Sequence, residues 1–300
     1  YRFVKIFEEA GLPPGVLNFV TGSGSEVGEP LIEHHNIDLV SFTGSTDTGA
    51  QVAHKCAWNM KQYSLEMGGK NAAIILNDAD LEKAASGVVQ GAFGSTGQRC
   101  TATSRAIVEE GIYDEFMQIL IAQTKALTIG DGMDPTKDIA PLSSRNQLDT
   151  VLEYIGIGTE EGAHLTLGGD RLQDGEFSEG YYVEPTIFTE VKTNMRIARE
   201  EIFGPVLSVF RASDLQDAVR ISNDVDFGLS SSVYTRDLVQ AHEYINTVET
   251  GMVHVNAPTL GGEVHLPFGG IGASGTGQRE QGTEGFDFFT ETISVYIDHS

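Results

Sequence analysis

The chain has 300 residues, 40% of them hydrophobic, which is enough to bury the core of one large domain or two ordinary ones. Acidic residues outnumber basic ones 43 to 19, a formal net charge of −24, so the surface repels nucleic acid and anionic lipid. No apolar run approaches the length that spans a bilayer, and the two cysteines, Cys56 and Cys100, make no disulfide framework and suit a reducing cytoplasm. Two sources fit the acid excess: a high-salt cytoplasm, where ions screen the self-repulsion, or an ordinary acidic enzyme.

Taken in order, the chain opens at Tyr1 inside an amphipathic helix already in progress, which points to a piece of a longer protein. Val16 to Val20 reads as a short strand entering the Gly22-Ser-Gly24 turn, and Asp38 to Phe42 as a second, ending at Thr43-Gly44-Ser45. Ala72 to Leu76 is a third, followed by Asn77-Asp78-Ala79-Asp80, a capping cluster that opens a helix through about Phe93. A helix around Tyr113 to Ala126, a loop at Asp131 to Pro135 and a helix from about Ser144 come next. Val206 to Phe210, Ser231 to Tyr234 and Met252 to Val255 read as strands with helices between them. The tail from Phe288 to Ile297 alternates β-branched and aromatic residues, the pattern of a long terminal strand whose edge a second subunit would cover. Alternating strands and helices predict an α/β layered fold with a mainly parallel sheet. Trp58 and the phenylalanines are expected in its core.

Two segments carry candidate chemistry. In Gly97-Gln-Arg-Cys100 a cysteine follows a small-residue turn, Gly94-Ser-Thr-Gly97, that could present its thiolate. In Leu65-Glu66-Met67-Gly68-Gly69-Lys70-Asn71 a glutamate sits beside two glycines, where backbone can approach a ligand and a desolvated carboxylate can act as a base. The residues alone leave both open: Cys100 as nucleophile or buried structural thiol, Glu66 as base or solvated turn acid. The glycines from Gly22 to Gly28 miss the usual dinucleotide fingerprint by one residue. His34 and His35 read as a solvated helix end, and His242, His254 and His265 are too dispersed for a metal site.

Together the two segments resemble the aldehyde dehydrogenase superfamily, whose general-base motif reads Leu-Glu-Leu-Gly-Gly-Lys and whose nucleophile motif reads Gly-Gln-x-Cys. Glu66 stands 34 residues before Cys100, a spacing that suits the family. Glu200-Glu201-Ile202-Phe203-Gly-Pro205-Val is similar to its nicotinamide-ribose motif, Phe42-Thr-Gly-Ser45 with Gly49 to its pyrophosphate turn, and Pro267-Phe268-Gly-Gly270 with Ser274-Gly275 to its C-terminal signature. The resemblance runs the length of the chain with the motifs in family order.

It implies an incomplete Rossmann-type cofactor domain (1–66), an α/β catalytic domain (67–260), and a return segment with an oligomerisation strand (261–300). It implies NAD or NADP as cofactor, with NAD the default, a small aldehyde as substrate, and a homodimer or homotetramer. By the same resemblance Cys100 attacks the aldehyde and its N–H helps hold the oxyanion, while Glu66 activates the water that hydrolyses the thioester. Glu201 holds the nicotinamide ribose and Phe203 packs near it. Thr43, Gly44, Ser45, Gly49, Met67 and Gly68 line the cofactor path, with Gly24 toward the adenine. The family's upstream stretch, with the oxyanion-hole Asn and the segment that binds the adenosine ribose, has no counterpart here, and Gly272 stands where many relatives have Lys. The segment from Gly251 to Pro267 is similar in wording to members acting on semialdehydes such as 2,5-dioxopentanoate, with Arg99 and Arg279 as candidates for a substrate carboxylate. Two other readings stay open, a CoA-acylating relative and a non-catalytic subunit on the same fold. Glu66 argues against the first, and retention of the site residues together against the second.

Overall fold

A computed structural model describes all 300 residues, Tyr1–Ser300. The first part holds α1 (Arg2–Glu9), a π-helical turn at Gly24–Gly28, α2 (Glu29–Glu33), β1 (Leu39–Thr43), α3 (Thr46–Trp58) and β2 (Gln62–Glu66). Next come β3 (Asn71–Ile75), α4 (Leu81–Phe93), β4 (Thr103–Glu109), α5 (Tyr113–Lys125), α6 (Arg145–Glu160) and β5 (His164–Leu167). A small ribbon of β6 (Arg171–Leu172) and β7 (Tyr182–Val183) leads to β8 (Thr186–Thr189), α7 (Arg196–Arg199), β9 (Val206–Ala212) and α8 (Leu215–Asn223). The chain ends with β10 (Phe227–Gly228), β11 (Ser230–Tyr234), α9 (Leu238–Thr247), β12 (Met252–Val255), β13 (Ile271–Gly272) and α10 (Gly282–Phe288).

Seven strands form the main sheet in the order β12-β11-β3-β4-β9-β8-β5, parallel except for β5, which runs antiparallel to β8. Parallel sheets are covered on both faces, so their strands are apolar throughout, and every residue of β3 is buried. Successive side chains take opposite faces: Ala72, Ile74 and Leu76 join one core cluster of 25 residues, Ala73 and Ile75 another of 19. Truncating Ile74, wholly buried, would cost about 2–5 kcal/mol. The covering helices begin where side chains cap their free N–H groups. Asp80 accepts from the Lys83 N–H at 3.2 Å to start α4, and Ser144 from the Gln147 N–H at 3.2 Å to start α6.

Strands β1 and β2 form a separate parallel pair, in register Thr43 with Glu66, packed on α3 over a third cluster of Val52, Cys56, Leu65 and Met67. The return segment rejoins this pair: the Met67 N–H donates to the Ser274 carbonyl at 3.0 Å, and Glu66 bridges Gly275. No helix is long and apolar enough to cross a membrane.

Three expectations fail. Val16 to Val20 is irregular and exposed, because after the Pro13-Pro14-Gly15 turn no strand of the chain runs beside it to share hydrogen bonds. The tail is not a strand either. Phe288 ends α10 with its ring buried, and residues 290–300 pair with nothing, leaving Ile293, Val295, Tyr296 and Ile297 exposed. The core expectation fails at Trp58, 82% exposed because α3 buries only Gly49, Val52 and Cys56 and Trp58 lies on its opposite side, and at Phe3, Phe7, Phe19, Phe286 and Phe289, exposed near the two ends of the chain. His34 and His35 do sit at a solvated helix end, His34 capping α2 with the two rings stacked 4.7 Å apart.

Candidate active site

A cleft of about 490 Å³ opens where the β1–β2 unit meets the main sheet. Nine of the residues expected to act lie on it: Thr43, Gly44, Ser45, Glu66, Met67, Gly68, Cys100, Glu201 and Phe203. Gly49 stands just behind the wall, where a methyl would come within 2.3 Å of the Met67 sulfur. Gly24 lies outside the cleft, exposed on the π-helical turn.

Thr43 to Ser45 carry the chain from β1 into α3. Ser45 caps that helix, its Oγ accepting from the Thr48 N–H at 3.3 Å, and the remaining free N–H groups form an anion-attracting end at the cleft. A side chain at Gly44 would meet the Phe42 ring at 2.4 Å.

The nucleophile candidate is presented by a tight reversal. After α4 three successive residues, Ser95, Thr96 and Gly97, take positive φ of 52°, 59° and 67°. Thr96 Oγ1 donates to the Ala140 carbonyl at 2.9 Å, and the Ser143 N–H donates to Gln98 Oε1 at 3.0 Å. Cys100 emerges half-buried. Burial raises its thiol pKa, the Thr101 N–H and its own N–H pull it down, and the Glu201 and Glu66 charges push it further up. At rest it is therefore a thiol that needs a proton acceptor.

Glu66 is the last residue of β2 and only 4% exposed, with no hydrogen-bond partner for either carboxylate oxygen. Burial, then the Glu280 charge, push its pKa up to about 8 against the pull of Arg279. A partnerless carboxyl near 8 that shares the cleft with the thiol can take a proton from it or return one.

Glu201 faces the same cleft. Its Oε1 accepts from the Gly69 N–H at 3.1 Å, and burial raises its pKa against the pull of that N–H and of Lys70. A methyl at Gly68 would come within 1.9 Å of the other oxygen, so glycine there makes room for a carboxylate of the protein itself. Phe203 holds a positive φ of 56°, which a non-glycine residue adopts at a cost. Gln147, which sequence reasoning missed, braces it by donating to the Ile202 and Phe203 carbonyls at 2.8 and 3.0 Å.

Lys70, within the motif but given no role from sequence, is wholly buried and donates to the Glu200 carbonyl. Burial, then Arg105, lower its pKa to about 7 against the Glu201 and Glu200 charges. Arg99 lines the cleft beside Cys100, its Nε donating to Ser95 Oγ at 2.9 Å. Arg279 is occupied elsewhere, Nη1 donating to the Gly270 and Gly277 carbonyls at 2.8 and 3.1 Å.

A cysteine and a desolvated carboxyl sharing a cleft with a second carboxylate and a helix N-terminus make a candidate thiol-dependent site beside a place suited to a polar, phosphate-bearing group. Residues 1–295 match the aldehyde dehydrogenase family, and the chain belongs to it. It is 46% identical over 296 residues to an alpha-ketoglutaric semialdehyde dehydrogenase of Bacillus subtilis, covering 99% of this chain and 61% of that protein. To an alpha-ketoglutarate semialdehyde dehydrogenase of Haloferax volcanii it is also 46% identical over 296 residues, covering 98% of this chain and 61% of that one. Among solved structures, a betaine aldehyde dehydrogenase from Staphylococcus aureus in complex with NAD+ superposes with a TM-score of 0.92 at 36% identity, over 95% of this chain and 56% of that one. The chain thus spans about three fifths of the length of the curated relatives it matches.

Proposed function

We propose that the protein oxidises an aldehyde to a carboxylic acid with NAD or NADP, Cys100 being the nucleophile and Glu66 the base. The observation that carries this reading is the convergence of Cys100, Glu66 and Glu201 on one cleft. Sγ of Cys100 adds to the carbonyl carbon as its proton passes to the Glu66 carboxylate, giving a thiohemiacetal oxyanion. The N–H of Cys100 is the oxyanion donor the chain offers. The cofactor, when bound, supplies the acceptor for the hydride that leaves that carbon. Once Glu66 has passed the thiol proton to solvent, its carboxylate takes a proton from water as the water attacks the resulting thioester, and the Cys100 sulfur leaves as a thiolate and is reprotonated.

The cleft fits such a cofactor. The free N–H groups opening α3, beside Thr43 to Ser45, suit the pyrophosphate. Glu201 accepts one internal hydrogen bond and has capacity left for ribose hydroxyls, next to Phe203, Met67 and Gly68. Gly49 supports this wall, and Gly24 would lie toward the adenine. NAD is the default, as in the S. aureus relative solved with NAD+.

The substrate class we favour is a carboxylated semialdehyde such as 2,5-dioxopentanoate. Arg99 supports it, an exposed guanidinium on the cleft beside Cys100 whose single hydrogen bond goes to a serine, as do the semialdehyde dehydrogenases among the relatives. We also propose a division at 66/67 and near 260, matching the separate small core under α3, and a homo-oligomer in which the apolar tail from Ile293 to Ile297 finds its cover. The two free thiols suit the cytoplasm.

An aldehyde panel with NAD and NADP tests the scheme on the enzyme at its full natural length. Cys100→Ala should yield no NADH, and Glu66→Gln should give a burst of NADH followed by slow turnover. Full turnover in Cys100→Ala overturns the scheme, acyl-CoA formation replaces water with a thiol acceptor, and a preference for plain aliphatic aldehydes removes the semialdehyde assignment.

A further inference from the structure

The backbone that carries Cys100 is held from beneath by side chains the scheme above does not use. Asn71, 3% exposed at the start of β3, donates from Nδ2 to the carbonyl oxygens of both Cys100 and Ala102, each at 2.8 Å. Its Oδ1 accepts from the Ser230 N–H at 3.0 Å, at the first residue of β11. The carbonyl in between, that of Thr101, accepts from Thr259 Oγ1 at 2.7 Å, and Thr259 is wholly buried. A hydroxyl has one hydrogen, so the 2.7 Å contact between Thr259 Oγ1 and Thr103 Oγ1 is donated by Thr103. The Thr259 carbonyl in turn accepts from Ser230 Oγ at 2.7 Å. Three consecutive carbonyls, 100 to 102, are thus all taken by two buried side chains.

The consequence follows from peptide geometry. In a trans peptide the C=O and N–H point opposite ways. Tying the Cys100 carbonyl to Asn71 therefore turns the Thr101 N–H to the other side, toward the Cys100 sulfur, where it favours the thiolate. Tying the Thr101 carbonyl to Thr259 fixes the next peptide, whose Ala102 N–H closes the turn on the Arg99 carbonyl at 3.0 Å. We propose that Asn71 and Thr259 are positioning residues for the nucleophile, locking the peptides on either side of Thr101 so that the turn holds its shape and the Thr101 N–H faces the sulfur. Thr259 also joins the segment between β12 and β13 to the turn, so a shift of that segment is felt at the thiol. The inference rests on Cys100 being the nucleophile.

Removing Asn71 would orphan three buried backbone groups and endanger folding, so the test uses Thr259→Val, with Thr259→Ser to restore the hydroxyl, in the enzyme at full natural length. Three readouts are compared with wild type: the pH dependence of Cys100 alkylation by iodoacetamide, kcat and KM for the aldehyde, and the melting temperature. Cys56 is wholly buried, so alkylation reports Cys100. Thr259→Val should raise the alkylation midpoint by about one pH unit and cut kcat about tenfold with KM within about twofold. Thr259→Ser should return both toward wild type. A wild-type midpoint and kcat in Thr259→Val overturn the inference. So does a kcat loss that tracks a lowered melting temperature and leaves the midpoint in place. Cys100→Ala separates the two readings: if it turns over, the nucleophile assignment itself has failed, and if it is dead while Thr259→Val is normal, only the positioning role falls.

Discussion

Replacing Glu66 with glutamine isolates what it costs to keep a carboxyl in this cleft. The residue is 4% exposed, neither oxygen has a partner, and its pKa rises from 4.5 to about 8. A carboxyl whose folded pKa lies above its unfolded one binds its proton more tightly in the folded state. The folded protein therefore loses stability as the pH climbs from 4.5 to about 8, and loses no more above that. At about 1.4 kcal/mol per unit the loss reaches about 3 kcal/mol at pH 7 and about 5 kcal/mol above pH 8. An amide of nearly the same shape carries no such dependence. Its unpaired N–H groups cost about 1–3 kcal/mol at every pH, so the informative quantity is how the mutant-minus-wild-type difference changes with pH. Urea denaturation of both proteins from pH 5 to pH 9 measures it, and Glu66→Gln should gain several kcal/mol on wild type across that range. Parallel stability curves would mean that Glu66 titrates as a solvated acid, and the desolvated-base argument would fall with it.

The same ionisation predicts that wild-type turnover rises with pH through about 8 and then levels, and a flat kcat profile from pH 6 to 9 would contradict it. Gly68→Ala drives a methyl against the Glu201 carboxylate and should raise the KM for NAD by about tenfold or more while Cys100 alkylation stays normal; cofactor titration and iodoacetamide kinetics separate the two. Glu201→Gln should weaken cofactor binding by about 1–3 kcal/mol, read as the shift in the dissociation constant by fluorescence titration. With a net charge of −24, the melting temperature should climb between dilute buffer and molar KCl, whereas a salt-independent melt would favour the ordinary acidic enzyme.

What could be read from sequence was local. Asp80, Ser144 and the run from Ala72 to Leu76 announce their helices and strand because caps and buried parallel strands are properties of a few adjacent residues. Val16 to Val20 and the tail to Ile297 have equally good strand composition, yet a strand needs a partner, and partnership is not encoded in the segment itself. Trp58 looked like core because tryptophan usually is, while the buried side of α3 is set by Gly49, Val52 and Cys56. By sequence the glycines after Glu66 suggest a place where backbone approaches a ligand. Gly68 in fact clears the Glu201 carboxylate, and a methyl at Gly69 would meet the Asn71 side chain and the Cys100 carbonyl at 2.7 and 2.9 Å. Glu201 and Cys100 come from distant parts of the chain, as do the partners of Asn71, Gln147 and Thr259, which is why those three residues carry no local signal.

These contacts also explain why the site hangs together although its members come from separate segments. Glu66 is held in register with Thr43 by the β1–β2 pair, which places the proposed base beside the helix N-terminus expected to face the cofactor. Gly69 then offers its N–H to Glu201, Lys70 its ammonium to the Glu200 carbonyl, and Asn71 its amide to the Cys100 carbonyl. Six residues in a row thus set Glu66, Glu201 and Cys100, the proposed base, cofactor-side carboxylate and nucleophile, relative to one another. The two glycines let the three segments approach to hydrogen-bonding distance, and the burial of Lys70 and Asn71 makes an unmade bond costly enough to keep them there. On this view the motif is more than a base with flanking residues: it is the common ruler against which the other two loops are placed, and an insertion within it would misplace all three groups at once.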